Sequence, residues 1–333
     1  MKHMTRCLLG AAVVATALGT ATVTASAQGL GENWCSDVQV RFFTGGAEGD
    51  AFGSIVQAGA EQAAIDTGAN LELLFSGWDA EMMVQQLREA VAVEVDAIGM
   101  MGHPGGAAIM PLAEEAAEKG IYMMYQNVDV PDVRAAHGGG YIGVLDLYAQ
   151  GEALAQEAIR RFDLKEGDTA LVFVPLGQEE RGRRERALVD VFEGVGIEVQ
   201  VVDAKTEYGA DPNLAIPIIT AAVLANPELD LIGYPGGQML GNAPTYMDAA
   251  GAEAGQIINI GFDTSPQIID GFGRGYVQLT SDQQPFNQGY LAVLSLCQQA
   301  VLGLAPITED TGAGFVTDDN YETVGELATR GLR

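Results

Sequence analysis

Two segments near the end of the chain decide how it is read: Asn259-Ile260-Gly261-Phe262-Asp263 and Thr280-Ser281-Asp282-Gln283-Gln284-Pro285-Phe286-Asn287-Gln288-Gly289-Tyr290. Each follows or contains a short apolar run that reads as a strand, and each ends in side chains suited to gripping hydroxyl groups. A carboxylate accepts two hydroxyl protons, and a carboxamide donates and accepts at once. Neither segment holds a nucleophile with a base beside it. The pair points to capture of a polyol without chemistry.

The rest of the chain is built around strands of the same kind. Apolar strands are expected at 38–43, 71–75, 97–101, 121–125 and 141–143, with helices near 51–67, 80–92 and 107–119 between them. After Asp146 the pattern restarts. Strands at 170–174, 199–202, 231–234, 257–262 and 277–280 alternate with helices, and a long helix covers about 286–302. Continuously apolar strands separated by amphipathic helices mean parallel sheets covered on both faces. The strands are too many for one such sheet, so two are expected. Ligands of doubly wound sheets bind beyond the carboxyl ends of the strands. The informative residues therefore sit just after each strand.

The start of the chain reads as an export signal. Lys2 and Arg6 supply a positive end, 8–23 an apolar core and Ala25-Ser26-Ala27 a small-residue cleavage site before Gln28. A retained anchor is the alternative, which the short, Ala-, Gly- and Thr-rich run disfavours. Cys7 precedes the apolar core and is not at a lipoprotein position. The formal charge is -28. Loss of Lys2 and Arg6 takes it to about -30, a surface unsuited to nucleic acid or anionic lipid. It suits a salty habitat, where screening limits self-repulsion, or simply an acidic exported protein. Cys35 and Cys297 remain after cleavage. Export favours a disulfide over free thiols, though spacing alone does not bring the two together.

Several loops have a functional and a plain structural reading. Gly45-Gly46-Ala47-Glu48-Gly49-Asp50 opens a helix but lacks any phosphate-binding pattern, and Glu48 and Asp50 would repel phosphate. Asp50 either holds hydroxyls or caps the helix. Phe52 either stacks on a sugar face or fills core. His103 stands at the cleft or is an ordinary loop histidine. A metal site would need further nitrogen or thiolate ligands, and none are near. Arg181-Gly182-Arg183-Arg184-Glu185-Arg186 is the dense basic run. Most of it should be a solvated helix start, with one guanidinium free to hold sugar oxygens. Gly271–Gly275 precedes a strand and reads as a turn. Trp34 reads as structural and Trp78 is ambiguous. No Gly-x-Ser-x-Gly elbow is present, and export removes access to nucleotide cofactors, so no cofactor is expected.

Taken with these motifs, the chain resembles the periplasmic sugar-binding proteins of ABC transporters, of the ribose/galactose type-I class. The likeness runs from Val38 to about Leu304. It is sharpest in Ile260-Gly261-Phe262-Asp263 and Asp282-Gln283-Gln284-Pro285-Phe286. The resemblance implies two Rossmann-like α/β lobes joined by a three-strand hinge. It divides the chain into a signal peptide (1–27), a first lobe (28–145 plus 282–305), a second lobe (146–281) and a packed tail (306–333). The crossings fall near Leu145, within 262–281 and near Leu304.

The same resemblance implies a ligand set of Asp50, Phe52, His103, Asn127, Arg186, Asp263 and Gln283, with Arg183 the alternative arginine. Asn127 stands where relatives often carry aspartate, and Gly236 where many carry asparagine, so the ribose pattern is not met. The function implied is a monomeric, non-enzymatic periplasmic protein that hands a monosaccharide or polyol to a membrane permease. An exported sugar isomerase or hydrolase on the same fold is the alternative. Asp50 and Asp263 could be cast as its carboxyl pair, but nothing beside them supplies an acid.

Overall fold

The computed structural model describes residues 29–312 and 314–333. The export signal read at 1–27, with Cys7, lies outside the described residues. Residues 32–333 form one compact unit. Within it the chain builds two six-stranded sheets among the described residues.

The first sheet is formed by β1 (Gln39–Phe43), β2 (Asn70–Leu74), β3 (Ala97–Met101), β4 (Tyr122–Gln126) and β5 (Gly140–Gly143). They alternate with α1 (Gly53–Thr67), α2 (Ala80–Ala92), α3 (Gly106–Glu118) and α4 (Pro131–His137). All five residues of β3 are buried, as a central strand covered on both faces requires. The second half repeats the plan. It runs through α5 (Leu147–Phe162), β6 (Thr169–Val174), α6 (Arg183–Gly194), β7 (Glu198–Asp203), α7 (Thr206–Ala210), α8 (Ile216–Ala225) and β8 (Leu231–Gly233). Then follow α9 (Gly237–Gly241), α10 (Ala243–Ala250), β9 (Ile258–Phe262), α11 (Pro266–Gly273) and β10 (Leu279–Asp282). The last elements are α12 (Pro285–Leu302), β11 (Thr308–Asp310), β12 (Gly314–Thr317) and α13 (Tyr321–Ala328).

The strand orders are β11-β5-β4-β3-β1-β2 and β12-β10-β9-β8-β6-β7. Pairing is parallel throughout except for the antiparallel β10–β12 edge. Both sheets reverse direction of winding between their first and third strands, the place where such sheets bind ligands. Each lobe has its own apolar core, one around Phe42, Ile98 and Leu296, the other around Leu171, Ile232 and Phe173. Each such large side chain withdrawn from water stabilises the fold by roughly 1.5–3 kcal/mol.

Among the described residues the chain passes between sheets three times: after β5, after β10 and after β11. The first passage lies between β5 and β6. The second falls later than 262–281, because Leu279 to Ser281 stay in register with Ile260 to Phe262 and keep β10 in the second sheet. The third falls beyond Leu304. Thr308–Asp310 first pairs with Tyr141–Gly143, and only then does the chain return to form β12. The segment expected as a packed tail thus gives one strand to each sheet. Cys35 and Cys297 form a disulfide with Cα atoms 5.7 Å apart, tying the approach to β1 to α12 within the first lobe.

Candidate functional site

The carboxyl ends of both sheets face a common cavity of about 90 Å³. Its first-lobe wall is aromatic. Phe52, Trp78 and His103 stand side by side, with ring centroids 5.8 Å apart for Phe52–Trp78 and 5.4 Å for Trp78–His103, the latter edge-on. Burial and the nearby Arg181 and Arg184 guanidinium groups push the His103 pKa down to about 3. The imidazole is therefore neutral at physiological pH and offers one donor and one acceptor.

Gln283, just past β10, sits at the junction of the lobes. Its Nε2 donates to Asp263 Oδ1, and its Oε1 accepts from Asn127 Nδ2 at 3.3 Å. Asn127 follows β4 in the left-handed region (φ 65°), and Asp263 follows β9 likewise (φ 80°). Few residues hold such a backbone without strain, and Asn and Asp are foremost among them. The Tyr141 hydroxyl fixes the first turn by donating to the Asn127 carbonyl at 2.9 Å. The second is fixed at both ends: Asp263 N–H donates to Ser281, and Thr280 Oγ1 donates to the Asp263 carbonyl. Asp263 is buried, and its Oδ2 also accepts from Gly237 N at 2.7 Å.

The second-lobe wall carries the positive charge. Arg181 and Arg184 both line the cavity, both pair with Glu185 Oε1 (2.8 and 2.9 Å), and both donate to the Pro235 carbonyl. Arg184 is 2% exposed and lies over the Phe262 ring, 4.0 Å from its centroid. A Cβ on Gly151 of α5 would come within 1.9 Å of the Arg184 carbonyl. Only glycine lets α5 approach closely enough to hold this turn in place.

The structure therefore brings together Phe52, His103, Asn127, Asp263 and Gln283 of the residues expected from sequence. Arg186 is not among the residues that line the cavity; its guanidinium lies beside Gly182, with Nη2 buried. The alternative Arg183 is exposed and pairs with Asp146 and Glu180. The helix begins at Arg183, so Arg181 on the preceding turn and Arg184 face the cleft instead.

Asp50 stands one contact behind the cavity. Its Oδ1 caps α1 by accepting from Phe52 N and Gly53 N, and it also accepts from Gln238 Nε2 of the other lobe at 2.9 Å. Desolvation on burial is the largest cause that raises the Asp50 pKa to about 6. Sequence reasoning flagged the loop 235–238 without giving Gln238 a role, missed Lys205 and left Trp78 undecided. Lys205 sits two residues beyond the end of β7 and Gln238 five beyond the end of β8, and a place just past a strand was the available signal. No group of histidine, cysteine or acidic side chains suited to a metal occurs among the described residues.

Two parallel α/β lobes, three connecting passages and a cavity between the sheets define a type-I bilobal binding protein. The periplasmic binding protein domain family matches residues 42–303, and the chain belongs to it. The chain is 24% identical over 263 residues to a xylose/arabinose-binding protein of Sulfolobus acidocaldarius. That alignment takes in 73% of this chain and 62% of the relative, so it spans less than two thirds of the relative's length. Among solved structures, a carbohydrate transporter from Acidothermus cellulolyticus 11B in complex with myo-inositol superposes with a TM-score of 0.72 at 25% identity. The match covers 89% of this chain and 99% of that one. An ABC transporter solute-binding protein from Burkholderia graminis, in complex with D-arabinose, shares the fold with a TM-score of 0.73 at 22% identity, covering 86% and 97%.

Proposed function

We propose that this chain is exported by its N-terminal signal, captures one monosaccharide or polyol between its lobes, and delivers it unchanged to an ABC transporter permease as a monomer. The observation that carries the reading is Gln283 joined at once to Asn127 and Asp263 on the floor of the aromatic-walled cavity. A ring lying on Phe52 and Trp78 would present its hydroxyls to Asp263, Asn127, His103 and the two arginines. Carboxylate, carboxamide and guanidinium groups converge there, the set that hydroxyl-rich ligands require. The xylose, arabinose and myo-inositol in the names of the similar proteins support the same ligand class.

Titration calorimetry against pentoses, hexoses and inositols, with recovery of the sugar afterwards, tests the reading. One site per chain and an unaltered sugar are expected. No binding across the panel, or a product released with turnover, overturns it.

A further inference from the structure

The chain has two tryptophans, and one of them occupies a place that ordinary packing does not explain. Trp78 has φ 63°, the left-handed region, directly after Gly77 at φ 57°. Bulky side chains rarely adopt that backbone, and such outliers persist where surrounding structure enforces them. Here the turn is held firmly. Ser76 N and Gly77 N donate to the Gly46 carbonyl, Trp78 N donates to the Gly45 carbonyl, and Ser76 Oγ donates to Gly45 as well at 2.7 Å. The turn packs the indole on the edge of the first lobe's core, where it lines the cleft.

Two further facts show what the indole does there. Its Nε1 is buried and has no hydrogen-bond partner among the described residues, although Trp78 lines the cavity. A buried indole N–H usually finds an acceptor. The ring's pyrrole edge also lies flush against the opposite lobe. A Cβ placed on Gly209 of α7 would fall 3.1 Å from Trp78 Cδ1 and 3.7 Å from Nε1. Phe52 and His103 back the other sides of the ring.

We propose that Trp78 is a specificity-determining residue of the cleft, closing against Gly209 of the second lobe and reserving its indole N–H for an oxygen of the bound ligand. The inference rests on the sugar-capture reading for the nature of that oxygen. The contact with Gly209 stands apart from it. Trp78 thus couples two events: the lobes meet at a residue without a side chain, and the ligand satisfies a donor that closure has removed from water. A site built to donate to a particular oxygen discriminates strongly against an analogue lacking it. Gly209 sets how far the second lobe can approach, because a Cβ there already lies 3.1 Å from the indole and a branched side chain would meet the ring before closure is complete.

The test uses the mature chain with Trp34→Phe, which leaves Trp78 as the sole tryptophan. It is titrated with D-ribose, D-galactose and myo-inositol while emission and acrylamide quenching are followed. The sugar that binds by calorimetry is expected to shift Trp78 emission and to reduce its quenching. Gly209→Val is expected to abolish both changes and weaken binding at least tenfold, with the circular dichroism spectrum unaltered. Trp78→Phe keeps a ring but loses the donor. It should weaken the cognate sugar about tenfold while hardly changing the affinity for its deoxy analogue lacking the contacted oxygen. Trp78 emission that ignores a sugar seen to bind by calorimetry overturns the inference, as does equal loss for sugar and deoxy analogue. Should none of the three bind, the sugar-capture reading is what fails, and the ligand-free protein decides the contact. There Gly209→Val must raise quenching of Trp78 at least twofold, and unchanged quenching overturns the inference.

Discussion

Gln238 Nε2 donates to Asp50 Oδ1 at 2.9 Å, joining the second lobe to the first across the mouth of the cleft. The bond needs no ligand. It adds to whatever the ligand supplies, because both are made only when the lobes are together, and only such differential contacts shift a two-state equilibrium. One hydrogen bond contributes about 1 kcal/mol. Gln238→Ala should therefore shift the balance between open and closed forms about fivefold toward open. Small-angle scattering of the ligand-free protein reads this as a larger radius of gyration, and an identical scattering curve would remove the bond from closure.

Asp263 accepts from Gly237 and Gln283 and lines the cavity. Asn in its place tolerates the left-handed backbone but carries no charge. Asp263→Asn should weaken sugar binding by about 2 kcal/mol, the scale of a hydrogen bond to a charged group. Unfolding in urea should change less than binding does. Unaltered calorimetric affinity would place Asp263 outside the ligand's reach.

The arginines separate by position on α6. Arg184 is buried over Phe262 and shares Glu185 with Arg181, whereas Arg186 does not line the cavity. Arg184→Ala should abolish most binding and also destabilise the fold, since it leaves Glu185 buried with half its partners. Arg186→Ala should leave affinity within about twofold, as expected of a side chain that does not line the cavity. Calorimetry on the two variants checks the pair, and a large loss for Arg186→Ala would restore the assignment made from sequence.

Much of this was legible in the residues. Apolar runs such as Ala97–Met101 and Ala170–Val174 are strands because nothing but a doubly covered parallel sheet buries every residue of them. Asp263 and Gln283 were legible because they stand immediately past such runs. The arginine was not. A helix turns about 100° per residue, so an error of two positions moves a side chain to another face, and local sequence does not locate the first turn of α6 so finely. Gln238 and Trp78 escaped for a different reason. Their partners, Asp50 and Gly209, lie 188 and 131 positions away in the chain, and only the folding of two lobes together makes them neighbours. The third hinge passage was hidden by β11, a three-residue exposed edge strand with no apolar signal.

The Cys35–Cys297 disulfide closes a separation of 262 residues but stays within the first lobe. It restrains the unfolded chain and leaves the hinge untouched. Replacing both cysteines by serine should lower stability by about 2–5 kcal/mol. Sugar affinity should stay within about twofold. Denaturant unfolding and calorimetry of the double variant check the two halves of this expectation, and a large loss of affinity would mean that the bond also shapes the cleft.

The raised pKa of Asp50 makes stability depend on pH with a definite sign. In the folded protein the carboxyl titrates at about 6, against an ordinary value of 3.8, chiefly because burial disfavours its charge. Between these limits the folded state holds a proton that the unfolded chain releases. Stability from this group is complete below about pH 4 and is lost as pH rises through about 6. Partial exposure trims the effect to about 1–3 kcal/mol. Asp50→Asn keeps an oxygen to cap α1 and to accept from Gln238, but does not titrate. The difference in urea stability between wild type and variant should therefore shift in the variant's favour between pH 4 and pH 7. A difference that stays constant over that range would show that Asp50 titrates as an ordinary exposed carboxylate.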